Sequence, residues 1–142
     1  MATVTAVEAQ AGIQPKANRV GLTAVTTEYS LTSSGSVGTT ILMIKVPQGA
    51  TLVGGYVGTS HAGQLTVQVG DGNSTGRYFA EQTLSAGMGM VNVFTATPAR
   101  AYTYSVEDTI DIVISRVSVS TLGGAFFLTC IFSMDARTPA IL

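Results

Sequence analysis

The stretch Leu65-Thr-Val-Gln-Val69 alternates apolar and polar residues and runs directly into Gly70-Asp-Gly-Asn-Ser-Thr-Gly76. No other stretch restricts the fold of this chain so sharply. Alternation places Leu65, Val67 and Val69 on one face of an extended segment and Thr66 and Gln68 on the other, the period of a half-buried strand. Gly, Asp and Asn accept left-handed backbone or hydrogen-bond their own main chain, so the strand must end there and the chain reverse or cross over. Arg77, Tyr78 and Phe79 re-enter the fold.

Similar patterns recur along the chain. Residues 22–31 read as a strand with Thr27, Tyr29 and Leu31 on one face and Thr26, Glu28 and Ser30 on a wet one. Residues 40–46 are apolar on both sides, Leu42, Ile44 and Val46 opposite Ile41, Met43 and Lys45, which predicts burial on each face. Residues 51–59 form a further strand, where Gly54 and Gly55 permit a bulge. Residues 91–95 and 101–104 are shorter extended pieces. Residues 109–117 alternate most cleanly, with Ile110, Ile112 and Ile114 facing the core, and residues 126–134 close the sheet. Turns or loops are expected at 32–38, 47–49 and 118–124. Residues 80–86 read as one helical turn or a loop, because Glu81, Gln82 and Leu84 favour helix.

Seven or eight short strands with turn signals between them, and no amphipathic helix of three turns, indicate an all-β fold. Without Trp or a Cys pair the immunoglobulin pattern has no anchor, so a single-domain, jelly-roll-like antiparallel β-sandwich is expected. With 142 residues, one domain can bury a sufficient core. Residues 1–21 have no sustained period and contain Pro15, which predicts an extended N-terminal arm, followed by a sandwich domain at 22–135 and a tail at 136–142. Scattered Val4, Val7, Ile13 and Val20 give the arm apolar surface with which to dock on a neighbouring subunit.

Charged residues make up 11% of the chain, against roughly 25% in an average soluble domain. A surface so poor in charge points to burial against partners. The formal net charge of −1 and seven scattered basic residues supply no footprint for nucleic acid. No run approaches the ~20 apolar residues of a membrane span, and the first residues lack the basic start and apolar centre of a signal peptide, so a soluble chain is expected. Cys130 is the single cysteine and lies in an apolar run, as a buried thiol acting as a small hydrophobe.

The residues that could carry chemistry are few. His61 and Cys130 lie in separate segments, and nothing in the pattern pairs them as nucleophile and base. There is no G-x-S-x-G elbow, and one Cys with one His cannot build a structural zinc site. In the loop after Val69, Asp71 and Asn73 match two calcium-loop positions but the remaining oxygen ligands are missing. Glu107, Asp108 and Asp111 read as a solvated corner at a strand entry, and Tyr78, Phe79, Tyr102 and Tyr104 as core or interface fillers. The residues therefore predict no enzyme, no metal and no cofactor.

Several of these segments, in this order, resemble a known family. Ile44-Lys-Val-Pro-Gln-Gly-Ala50, Leu65-Thr-Val-Gln-Val-Gly-Asp-Gly-Asn73 with Arg77-Tyr-Phe79, Tyr102, Asp108-Thr-Ile-Asp-Ile112 and the final strand at 128–135 are similar to small virion proteins of tailed bacteriophages, specifically head decoration, or cement, proteins. The resemblance covers about residues 40–135 and rests on turns rather than catalytic signatures. It implies a non-enzymatic β-sandwich, made in the host cytoplasm, that sits on the capsid surface as a homo-oligomer, often a trimer, and binds between major capsid protein subunits. Contacts are then expected from Val4, Val7, Ile13 and Val20 of the arm and from Asp71, Asn73 and Arg77 of the loop. The rival expectation is a carbohydrate- or receptor-binding jelly-roll module of a phage fibre or tail, which would use the tyrosines and the Asp71 loop.

Overall fold

The computed structural model describes residues 3–5, 21–31, 37–92, 102–118 and 123–134. The expectations for most of the arm (1–2 and 6–20), the turn at 32–36, the extended residues 93–95 and 101, the loop at 119–122, the last residue of the sandwich domain (135) and the tail at 136–142 lie outside the described residues. The strands are β1 (Thr3–Thr5), β2 (Gly21–Ser30), β3 (Thr40–Val46), β4 (Ala50–Thr59), β5 (Leu65–Asp71), β6 (Phe79–Leu84), β7 (Val91–Asn92), β8 (Tyr102–Thr103), β9 (Asp108–Val117) and β10 (Ala125–Met134).

They form two sheets. One has the order β1-β3-β9-β5-β6; the other has the order β2-β10-β4-β7, with β8 also paired to β4. All pairings are antiparallel except that of β1 with β3. This is the expected jelly-roll-like β-sandwich. The core takes alternate residues from both sheets: Leu65, Val67 and Val69 of β5 and Ile110, Ile112 and Ile114 of β9 from one, and Leu52 and Val57 of β4 and Phe126, Leu128, Cys130 and Phe132 of β10 from the other. In β2, Thr27 and Leu31 are buried and Tyr29 half-buried while Thr26, Glu28 and Ser30 are exposed, as the alternation predicts.

Two expectations change at bulges. Strand β3 is not buried on both faces. Its register with β9 shifts between Leu42 and Ile44, so Ile41 and Met43 face the core before the shift and Ile44 and Val46 after it. One extra residue reverses the phase of a period-2 pattern, and an inward face read through it looks like two apolar faces. Strand β6, Phe79–Leu84, takes in most of the segment at 80–86 expected as a helical turn or loop, and it runs antiparallel to β5 with Leu65 opposite Leu84 and Thr66 opposite Thr83. The register then jumps from Val67–Gln82 to Val69–Phe79, and Glu81 takes a φ of 38°. Helix propensity in so short a segment yields to the ladder and to the burial of Phe79 and Leu84. A 3-10 turn, Ala86–Met88, follows it. On β4, the register with β10 shifts beside Gly54, where the glycine pair predicted a bulge.

Asp111 is not part of a solvated corner. It is 4% exposed on β9, opposite Leu42 on one side and Gly70 on the other. The inward-facing residues of β9 are its isoleucines, so Asp111 lies on the outer face of the sheet. There a Cβ on Gly70 would stand 2.0 Å from the Ser74 carbonyl oxygen, so the loop after β5 folds directly over that glycine. The acid is covered on a face that alternation assigns to water.

Candidate functional site

Strand β5 keeps its phase one step beyond the predicted strand end. Leu65, Val67, Val69 and Asp71 share a face, which sends the Asp71 carboxylate into the end of the sandwich, 1% exposed. A carboxylate taken out of water has to be matched by donors. The loop supplies them. Oδ1 accepts the backbone N–H of Asn73 at 3.0 Å and of Ser74 at 2.9 Å, an Asx turn that fixes the reversal. Oδ2 accepts Arg77 Nε at 2.6 Å and the Tyr104 hydroxyl at 3.0 Å. Backbone bonds between Asp71 and Ser74 in both directions close the loop on itself.

Tyr104 carries the network to the opposite sheet. Because its hydroxyl donates to Asp71, the Tyr78 hydroxyl must donate to Tyr104, and the two phenols are in direct contact. Burial pushes both phenols well above their ordinary pKa, so they remain protonated donors. Tyr102 of β8 packs edge-on against Tyr104, with ring centroids 5.0 Å apart, and the Arg77 guanidinium lies 3.7 Å above the Tyr102 ring. Partial burial works against the Arg77 charge, but its hydrogen bond and ion pair with Asp71 outweigh this and raise its pKa.

Tyr104 also makes two backbone bonds to the β3–β4 turn: its carbonyl accepts Gly49 N–H at 2.7 Å and its N–H donates to Ala50 at 2.9 Å. The Pro47-Gln48-Gly49 turn and the Gly70-Asp71-Gly72 loop, distant in sequence, are therefore joined through one tyrosine. The arrangement is a polar clamp between the sheets at one end of the sandwich. It leaves Gly72, Asn73 and Thr75 exposed on a braced loop.

The clamp offers little chemistry. Both Asp71 oxygens are occupied by donors, and Arg77 places a cation where a calcium ion would have to sit. Among the described residues no group of three or more His, Cys, Asp or Glu is placed to hold a metal ion. His61 is buried at a different junction, its Nδ1 2.9 Å from the Gly123 carbonyl oxygen. Cys130 is fully buried on β10, and burial pushes its thiol pKa up, away from the thiolate a nucleophile needs.

Of the residues expected to make contacts, Asp71, Asn73 and Arg77 come together in the clamp, with Asn73 exposed. Val4 lies on β1 opposite Ile41 and packs against the chain's own core. Val7, Ile13 and Val20 lie outside the described residues. The sequence did not reveal the hydroxyl relay Tyr78–Tyr104–Asp71. Its one legible trace is that a buried Tyr needs a partner for its hydroxyl. Apolar side chains that sequence reading did not single out are exposed around β4: Val53, Tyr56, Met88 and Met90.

No family model matches the sequence, and no curated protein matches it either. Solved structures do share its fold. A chain of the Ralstonia phage GP4 capsid superposes with a TM-score of 0.76 at 16% identity, over 94% of this chain and 98% of that one. A chain of the cyanophage Pam1 capsid asymmetric unit gives 0.59 at 18% identity, over 89% and 96%. A chain of the acidic stable capsid structure of Helicobacter pylori bacteriophage KHP30 gives 0.55 at 12%, over 81% and 90%. At such identities the likeness is one of fold.

Proposed function

We propose that this chain is a non-enzymatic virion structural protein that decorates a phage capsid and stabilises it by binding between major capsid protein subunits, as a homo-oligomer that the family resemblance makes a trimer. What supports the reading most is that chains from three phage capsid structures share this fold over 81% to 94% of its length. The molecule's surface agrees with it. A chain with 11% charged residues exposes Tyr56, Met88, Met90 and Leu22, side chains suited to burial against a partner. The braced Asp71–Arg77 loop is a preorganised contact, because its ordering cost is met within the fold rather than at binding.

The mechanism needs no chemical step. Contacts made only with the assembled shell stabilise that shell by mass action, and repetition over symmetric sites multiplies a modest interface. The rival carbohydrate-binding reading loses its platform, since Tyr78 and Tyr104 are buried and Asp71 is occupied. The test is to mix purified protein with undecorated shells of its phage and measure occupancy by co-sedimentation and electron microscopy. The full chain is expected to coat the shell; a chain that does not bind refutes the reading. Deleting residues 6–18, which spares strand β1, should leave a folded β domain with much lower occupancy. Unchanged occupancy would assign the contact to the loop and the β4 surface instead of the arm.

A further inference from the structure

Edges decide what a β-sandwich can join. In the first sheet, β6 is broken by its bulge at Glu81, and the start of β3 is covered by β1. In the second sheet, β7 and β8 cover two parts of β4. Strand β2 is different. It runs ten residues, pairs with β10 on one side, and no described strand pairs with its other side. It has no Pro, no Lys and no Arg, and Glu28 is its one charge. Natural sheets guard a long edge against pairing with other chains, and among the described residues no such device guards β2, which makes it a template for a further strand.

The register shows which groups are available. Leu31 N–H donates to the Gly124 carbonyl at 2.8 Å, one step beyond the Ser30–Ala125 pair. Alternation along an antiparallel pair then turns the odd-numbered residues of β2 toward β10. Leu22, Ala24, Thr26, Glu28 and Ser30 aim their backbone groups at the side that no described strand pairs, and all of them are exposed, Leu22 at 72%.

We propose that this edge receives a second copy of the chain, β2 against β2, antiparallel and two-fold symmetric about Thr26. Only even-numbered residues can oppose one another in hydrogen-bonding phase, and the register centred on Thr26 uses all five, while a shift of two leaves groups unpaired at both ends. That register sets Leu22 against Ser30 and Ala24 against Glu28 of the second copy. No like charges meet in this register: each Glu28 carboxylate faces a small neutral residue and the two glutamates stay apart. Thr26 Oγ1 already bonds Thr129 Oγ1 across the β2–β10 pair at 3.0 Å, and the same Thr–Thr device joins β4 to β8 at 2.7 Å and β5 to β6 at 3.0 Å. A hydroxyl has one donor and two acceptor sites, so Thr26 can extend the row across the axis. The contact is isologous and closes on itself. It joins two single chains, or links one trimer to the next.

The test uses purified full-length protein without capsids, so its outcome is independent of shell binding. Sedimentation across a concentration series is expected to show an even-numbered assembly. Ala24→Glu opposes like charges twice by symmetry and should weaken that assembly about tenfold, halving its mass at intermediate concentration. Ala24→Lys, facing Glu28, should not weaken it, and Ala24→Glu with Glu28→Lys should restore it. Thr26→Pro, which removes an N–H on the open side and spares the β10 ladder, should dissociate a folded chain and serves if Ala24→Glu folds poorly. A wild type found only as monomer or trimer, or equal effects of Glu and Lys at position 24, overturns the proposal.

Discussion

Asp111→Asn isolates the effect of one buried acid on stability. Asp111 sits on the central strand β9 between Leu42 and Gly70, and its Oδ1 has no hydrogen-bond partner among the described residues. Burial is the main force raising its pKa, to about 7; a hydrogen bond from Thr109 lowers it, and the nearby Asp108 and Asp71 carboxylates raise it further. In the unfolded chain the same group releases its proton near pH 4. Between these values the folded state holds more protons than the unfolded state, so stability falls as pH rises. The favourable contribution is complete below about pH 4 and gone above about pH 7. At 1.36 kcal/mol per pKa unit, the wild type should lose about 2 to 3 kcal/mol from this group between about pH 5 and about pH 8. Urea unfolding at the two pH values reads this directly, with other titrating groups cancelling in the difference between wild type and variant. Asp111→Asn should remove that pH-dependent part and be the more stable protein at the higher pH. Parallel pH profiles for the two proteins would refute the reasoning.

Two further perturbations probe the clamp and the core. Asp71→Ala strands the Arg77 cation, the Tyr104 hydroxyl and two backbone N–H groups, and should cost about 3 to 5 kcal/mol in chemical unfolding. A loss under about 1 kcal/mol would show the loop held by other contacts. Ile112→Asp puts an unpaired carboxylate at a fully buried core position and should abolish folding. A native-like far-UV spectrum with cooperative melting in that variant would show the facing of β9 to be wrong.

Strands with unbroken alternation were legible. β5, β9 and β10 stand where the pattern of Leu65–Val69, the three isoleucines and Phe126–Phe132 puts them, because burial on one face imposes the period directly. What the sequence hid depends on contacts between distant residues. The bulge in β3 reverses a phase that no local signal marks, and β6 is a strand because β5 lies beside it. Asp111 reads as solvated until the loop above Gly70 is known, since a tertiary contact rather than its neighbours removes the water. The site was half visible. Asp71, Asn73 and Arg77 stood out as a loop, but nothing near them in sequence announced Tyr104, which makes that loop part of both sheets.

Strand β10 is paired along its full length, residue for residue, with β2 on one side and through one register shift with β4 on the other. A load along the strands therefore reaches many ladder bonds at once instead of peeling them apart in turn. The same sheet pulled across its strands yields bond by bond. A sandwich of this kind is mechanically anisotropic, so the direction in which it is mounted governs the force it bears before a strand slips.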